Sequence, residues 1–399
     1  VVSSRLKIRY AEDGGIQKDG VIEIRRGVDD LSLGDSHYAQ VRILVDGNRY
    51  LKGMAVYSDD LPDGVDVMFN TNKKKGTPTS DVLKKVKDDP DNPFGSLIKA
   101  GGQSYYIDAD GKRQLSLINK RAEEGDWGEW ADKLPSQFLS KQSLSLVNKQ
   151  LNLAASDKMA EFDEICSLTN PTVKKSLLKS FADDCDSAAV HLQAAALPRQ
   201  KYQVILPITS MKDNEVYAPN YKNGETVALV RYPHGGTFEI PILTVNNKQA
   251  EARRILGNTP KDAIGINSKV AERLSGADFD GDTVMVIPCN SGKSKVKITS
   301  TPPLKGLEGF DPKLEYGGKP AGTFKPMKNT QKEMGVISNL ITDMTLKGAT
   351  QDELARAVRH SMVVIDAEKH KLDYKQSEID NGISSLKKKY QGTVDEDGR

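Results

Sequence analysis

Three evenly spaced carboxylates are the residues of this chain best placed to do chemistry. Asp278, Asp280 and Asp282 stand two residues apart in Ala277-Asp278-Phe279-Asp280-Gly281-Asp282. The β-branched, apolar run Thr283 to Ile287 follows and reads as a buried strand. A strand rises roughly 3.3 Å per residue, so an extended backbone would spread the outer two aspartates by about 13 Å, too far for one small ion. Gly281 permits the tight or left-handed backbone that curls the segment and lets the side chains converge. Converging carboxylates raise one another's pKa unless a cation neutralises them. All-oxygen ligation selects magnesium, manganese or calcium over zinc or copper. Two plainer readings compete. One is a solvated Asp-Gly turn. The other is a calcium loop of EF-hand type, which needs Gly at position six and Glu at position twelve. Counted from Asp278 those places hold Thr283 and Cys289, so the calcium loop fails.

Lysines cluster in the triplet Lys73, Lys74 and Lys75 and in the alternating Lys293, Lys295 and Lys297. For the triplet, the plainer reading is a solvated loop.

These residues need elements to position them. Residues 1–70 are strand-rich, with alternation over Leu6 to Tyr10, Val21 to Ile24 and Val41 to Val45, a turn at Asp46-Gly47-Asn48, and further strands around Tyr50 to Tyr57 and Val65 to Phe69. Short strands at close spacing predict a small barrel or sandwich. Strands return over 202–245 and lead to the aspartate loop, which predicts a second barrel carrying the carboxylates. Between them, from Trp127 to about Leu197, Phe138, Leu144, Val147 and Leu151, then Met159, Phe162 and Ile165, then, after Pro171, Val173, Leu177, Leu178 and Phe181 recur at helical spacing, which we read as helices packed core to core. Residues 299–328, rich in Pro, Gly and Lys, read as a mobile connector. Two C-terminal helices follow, each expected to open with a capping box, at Thr330 to Glu333 and Thr350 to Glu353. Lys387, Lys388 and Lys389 lie on a last helix. The expected fold class is α+β: a first barrel over 1–80, loop and helical connector over 81–200, a second barrel over 201–298, and connector and helices over 299–399.

At 399 residues the chain can bury substantial cores. Its formal net charge of +2 says nothing about partners, so any nucleic-acid surface must come from local lysines. Cys166, Cys185 and Cys289 are few and far apart, which excludes a structural zinc site and suits a reducing compartment. Nothing approaches eighteen consecutive apolar residues, so no membrane span is expected. Without an initiator methionine the chain reads as a processed product or an excised fragment.

The loop Gly276-Ala277-Asp278-Phe279-Asp280-Gly281-Asp282, with Met285-Val286 and Pro288 behind it, resembles the metal-binding loop of the largest subunit of multisubunit RNA polymerases. The same loop occurs in the RNA-dependent RNA polymerases of RNA silencing and in single-chain phage RNA polymerases. These proteins set two double-psi β-barrels side by side, one bearing aspartates and the other lysines. Leu51-Lys52-Gly53-Met54, Asp60-Leu61-Pro62 and Val65-Asp66-Val67 resemble the first barrel. Leu146 to Gln150 resemble the inter-barrel helices, Leu229 to Gly235 a second-barrel strand, and Gly335 to Asn339 and Val364 to Lys369 the later segments. The resemblance covers roughly residues 20–375.

It implies a template-directed RNA polymerase. Asp278, Asp280 and Asp282 would hold Mg2+ (Mn2+ as a substitute) and Lys52 would be catalytic. Lys73, Lys74, Lys75 and Asn339 would meet the nucleoside triphosphate and the nucleic acid. Two divalent ions roughly 3.5–4 Å apart would stabilise the attacking and leaving oxygens of the nucleotidyl transfer. The partners implied are a DNA or RNA template, with DNA favoured, and an RNA product. The resemblance also implies a monomer or dimer without a membrane, in the cytoplasm of the host cell if phage-encoded. The rival readings are an RNA-dependent RNA polymerase of the silencing type, a non-catalytic nucleic-acid-binding barrel protein, and a metal-dependent nuclease or phosphatase.

Overall fold

The structure, a computed structural model, describes residues 1–95, 105–116, 118–120, 133–135, 144–193, 199, 201–231, 237–274, 276–290, 296–298 and 300–392. It is α+β, with two barrel-like sheets and C-terminal helices, as expected from the sequence. The chain divides into a barrel unit (1–130, 199–232 and 241–291) and a helical unit (131–198, 233–240 and 292–399).

The first sheet of the barrel unit is built from β1 (Leu6–Arg9), β2 (Val21–Ile24), β3 (Tyr38–Val45), β4 (Arg49–Tyr57), β5 (Val67–Asn70) and β6 (Ile118–Lys120), in the order β1-β5-β2-β4-β3-β6. Lys84–Lys85 adds a short piece to β4. The second sheet is built from β7 (Lys201–Pro207), β8 (Glu215–Val216), β9 (Thr226–Val230), β10 (Ile242–Val245), β11 (Ala263–Ile266) and β12 (Thr283–Pro288), in the order β8-β10-β9-β12-β7-β11.

Both sheets follow one pairing scheme. The first and fifth strands pair in parallel, as do the second and fourth. The third pairs antiparallel with the fourth and the sixth. The second meets the fifth antiparallel, through β2 and β5 in one sheet and through the bridge Tyr217 to Gly265 in the other. That bridge carries two 2.9 Å hydrogen bonds and joins the two ends of the second sheet, so it closes into a barrel without exposed edges. The first sheet curls similarly: Val1, leading into β1, bonds to Leu44 and Asp46 at the end of β3.

Alternating Val, Ile and Leu on these strands fill the interiors, with Ile22, Ile43 and Leu51 in one and Ile205, Val227 and Val286 in the other. Each such side chain, fully buried, contributes about 1.5–3 kcal/mol. Val21, Met54 and Val56 of the first sheet pack into the core of the second, so the barrels share a wall.

The helical unit departs from expectation at three points. The first two expected helical stretches are one helix, Leu144–Cys166, followed by Pro171–Val190; Phe138 lies outside the described residues. Ile165 is buried, but Leu151, Met159, Phe162, Val173 and Leu177 are exposed, Met159 to 67%. The Phe162 and Phe181 rings meet at 5.7 Å between these two helices, and Pro171–Val190 also packs against the helix Thr330–Leu346, yet the exposed members of the stripes are not core. Secondly, residues 300–328 are anchored: Leu304, Tyr316 and Met327 are buried. The Tyr316 hydroxyl donates to Asp380 at 2.8 Å and Lys319 pairs with Asp373 at 2.7 Å. Thirdly, the helix Thr330–Leu346 is capped by Asn329, whose side chain accepts from the Lys332 amide at 3.0 Å, rather than by a box on Thr330. The box Thr350 to Glu353 is formed on the helix Gln351–His370. Glu353 also takes Lys389 at 3.0 Å, which ties down the last helix, Ile383–Gln391.

On the helix Gln351–His370, His360 is buried with its Nδ1 3.0 Å from the Ser377 hydroxyl. Burial lowers its pKa to about 4 from an ordinary 6.5. Between those values the unfolded chain binds a proton that the folded chain excludes, so stability falls as pH drops through this window. At pH 5 the His360 contribution is about 2 kcal/mol less favourable than at pH 7. The loss of urea resistance between pH 7 and pH 5 should therefore be smaller in His360→Gln; an equal loss in both proteins would refute the assignment.

Candidate metal centre

The aspartate loop lies immediately before β12 and is fixed at both ends. β12 runs between β7 and β9, so the loop emerges from the middle of the closed barrel rather than from an edge. The loop curls back on itself: the Asp278 amide donates to Asp282 Oδ2 at 3.0 Å. Gly281 has φ 123°, a conformation other residues rarely adopt. A Cβ there would also come within 2.2 Å of the Gln40 side-chain nitrogen.

This curl overcomes the spread of an extended strand. One carboxylate oxygen from each of Asp278, Asp280 and Asp282 lies within 4.8 Å of the other two. Opposite ligands of an octahedral magnesium stand about 4.2 Å apart, so the three oxygens fit one such ion after a small closure. Burial raises the pKa of Asp278, and the neighbouring Asp280 and Asp282 raise it further. Burial also raises Asp282, against the opposing pull of Arg231. A site that crowds acids at this cost is suited to a cation.

The first barrel supplies the facing groups. Lys52 on β4 points its ammonium to Asp280 Oδ2 at 3.7 Å. Arg42 on β3 is its cross-strand neighbour. The loop is also gripped through its backbone, because the Phe279 amide donates to the Asp19 carbonyl at 2.7 Å. Gly20 packs against Asp280 so closely that a Cβ would meet its backbone nitrogen at 2.6 Å. The Asp19 side chain accepts from the Asn72 amide at 3.0 Å. Burial, and the charges of Asp280 and Asp282, lift its pKa to about 6. From the second barrel, Arg231 at the end of β9 pairs with Asp282 at 3.0 Å.

Three residues of this site, Asp19, Gln40 and Arg231, are not marked by any motif read above. For Asp19 a signal exists, since Asp19-Gly20 precedes the strand Val21 to Ile24 as Asp280-Gly281-Asp282 precedes the strand Thr283 to Ile287.

The lysine triplet lies beside Asn72 and so near Asp19. Lys73 bonds through its ammonium to the Asp81 carbonyl, and Lys75 pairs with Asp13 at 3.3 Å. Lys74 is exposed and, among the described residues, its ammonium has neither hydrogen bond nor ion pair. Lys293 and Lys295 lie outside the described residues. Asn339 belongs to the helical unit, half-buried on Thr330–Leu346, and the centre described here is built without it. No helix among the described residues is long and apolar enough to cross a membrane.

No protein-family model matches the chain, and no curated protein matches it in sequence. Among solved structures it is similar to the RNA-dependent RNA polymerase QDE-1 from Thielavia terrestris, with 14% identity and a TM-score of 0.43. The match covers 100% of this chain and 55% of that one, so the chain spans about half the length of that protein.

Proposed function

We propose that this protein is a template-directed RNA polymerase that joins ribonucleotides to an RNA 3′ end and releases pyrophosphate. The observation that carries the reading is the triad: three carboxylates gathered within 4.8 Å on one barrel, facing Lys52 from the other. A module that only binds nucleic acid has no use for clustered acids beside phosphates, which repel them.

Asp278, Asp280 and Asp282 are the residues that would hold magnesium, or manganese in its place. When bound, the metal supplies charge neutralisation and activation of the 3′-hydroxyl, with a second ion arriving on the triphosphate. The chain's own residues do the rest. Lys52, placed across from Asp280, stabilises charge growing on the transferred phosphoryl group. Lys74 is the member of the triplet we assign to the triphosphate, because Lys73 and Lys75 are engaged with their own surface. Asn339 is assigned to the nucleic acid.

A DNA template is the expected one, with RNA also copied, since an RNA–DNA hybrid and an RNA duplex are both largely A-like and are held through phosphates and sugars. The test is incorporation of labelled ribonucleotides on matched single-stranded DNA and RNA templates at one salt concentration. We expect synthesis on both, stronger on DNA. Synthesis confined to RNA would reverse the template class, and incorporation of deoxynucleotides alone would overturn the polymerase type.

A further inference from the structure

Gln40 lies on β3 of the first barrel, 240 residues away in sequence from the loop it touches. Its side-chain amide donates to the Asp280 carbonyl at 3.2 Å. On the adjacent strand β4, two residues along from Gln40's partner Met54, Lys52 meets the carboxylate of the same Asp280 at 3.7 Å. One strand pair therefore holds Asp280 by both its peptide and its side chain. Gly281 is bare where the Gln40 amide passes, since a Cβ would lie 2.2 Å from the nitrogen and 2.9 Å from the amide carbon. The contact and the glycine fit each other.

We propose that Gln40 is a positioning residue for the metal centre: its amide fixes the Asp280–Gly281 peptide and thereby sets where the Asp280 carboxylate stands between Lys52 and the ion. The inference deepens the polymerase reading and rests on it for its functional meaning, though not for its geometry. Asp280 follows Phe279, whose amide is held by Asp19, and precedes Gly281, whose backbone is intrinsically free. Without Gln40 the next hold beyond Asp280 is at Asp282, whose carbonyl accepts from the Ile205 amide at 3.0 Å, and the Asp280–Gly281 peptide loses its own anchor. The carboxylate then samples orientations that do not converge with Asp278 and Asp282. Groups that orient metal ligands typically change affinity by about 10- to 100-fold when removed.

The experiment is a titration of the full chain with Mn2+, following free Mn2+ by electron paramagnetic resonance, in wild type, Gln40→Ala and Gln40→Met. Methionine keeps the side-chain length and donates nothing, so it separates the hydrogen bond from the volume. We expect both variants to bind Mn2+ about tenfold more weakly, with thermal stability in the absence of metal close to wild type. The magnesium needed for half-maximal RNA synthesis should rise by a similar factor, and the rate at saturating magnesium should largely recover. Unchanged Mn2+ affinity in Gln40→Met, or lowered thermal stability with unchanged affinity, would overturn the positioning role. If the wild type makes no RNA while both variants still weaken Mn2+ binding, the polymerase reading falls and the role of Gln40 stands. If RNA is made and Mn2+ affinity is unmoved, the reverse holds.

Discussion

Asp278→Asn, Asp280→Asn and Asp282→Asn should each lower nucleotide incorporation by about a thousandfold or more, with the fold intact. Each carboxylate supplies one of three converging oxygens, and an amide at that place keeps the shape but removes the charge that holds a divalent cation. Stability should not follow activity. Asp278 is destabilising when ionised without a metal, because burial and then its acidic neighbours disfavour its charge. Its folded pKa is raised, so this cost is present above the unfolded pKa and relieved as pH falls. The metal-free thermal midpoint of Asp278→Asn should therefore rise at pH 7. Asp282→Asn gives up the 3.0 Å pair with Arg231 and should gain less. Calorimetry beside an incorporation assay separates the two quantities. Near-wild-type activity in any of the three with magnesium supplied would remove the site assignment.

Lys52→Ala should lower the maximal incorporation rate by about a hundredfold while changing template affinity little. The ammonium sits 3.7 Å from a carboxylate of the triad, within reach of a reacting phosphate and not of a distant duplex groove. Lys52→Arg keeps the charge but changes its shape and should restore only part of the rate. Single-turnover kinetics with a preformed template complex measure the chemical step apart from binding. A variant that keeps its maximal rate and only binds template more weakly would place Lys52 in the groove instead.

Much of this was legible in the chain because it is written locally. The alternation in Val21 to Ile24 and Val41 to Val45 follows the two-residue period of a strand, and the aspartate spacing beside Gly281 announces a curled, charged loop. Contacts across the fold are another matter. Gln40 and Arg231 become part of the centre only when the barrels are assembled, and nothing beside them in sequence points to Asp280 or Asp282.

The stripe of Leu151, Met159 and Phe162 was misleading for a different reason. Periodicity shows which face of a helix is apolar and does not show that anything covers it. Pro and Gly in 300–328 likewise signal irregular backbone, which is not mobility, since Tyr316 and Met327 anchor it. The cap on the helix Thr330–Leu346 was displaced by one residue, since Asn329 and Thr330 are both good caps and only the backbone geometry chooses between them.

If the triad carries out templated nucleotidyl transfer, each ribonucleotide joined releases one pyrophosphate. Pyrophosphate release tests it most directly, measured with a primed single-stranded template of known sequence while one ribonucleotide is offered at a time with magnesium. Pyrophosphate is expected only with the ribonucleotide complementary to the next template base, equimolar with primer extended by one residue, and none from Asp280→Asn. Release of inorganic phosphate, shortening of the primer, or pyrophosphate independent of template sequence would contradict it.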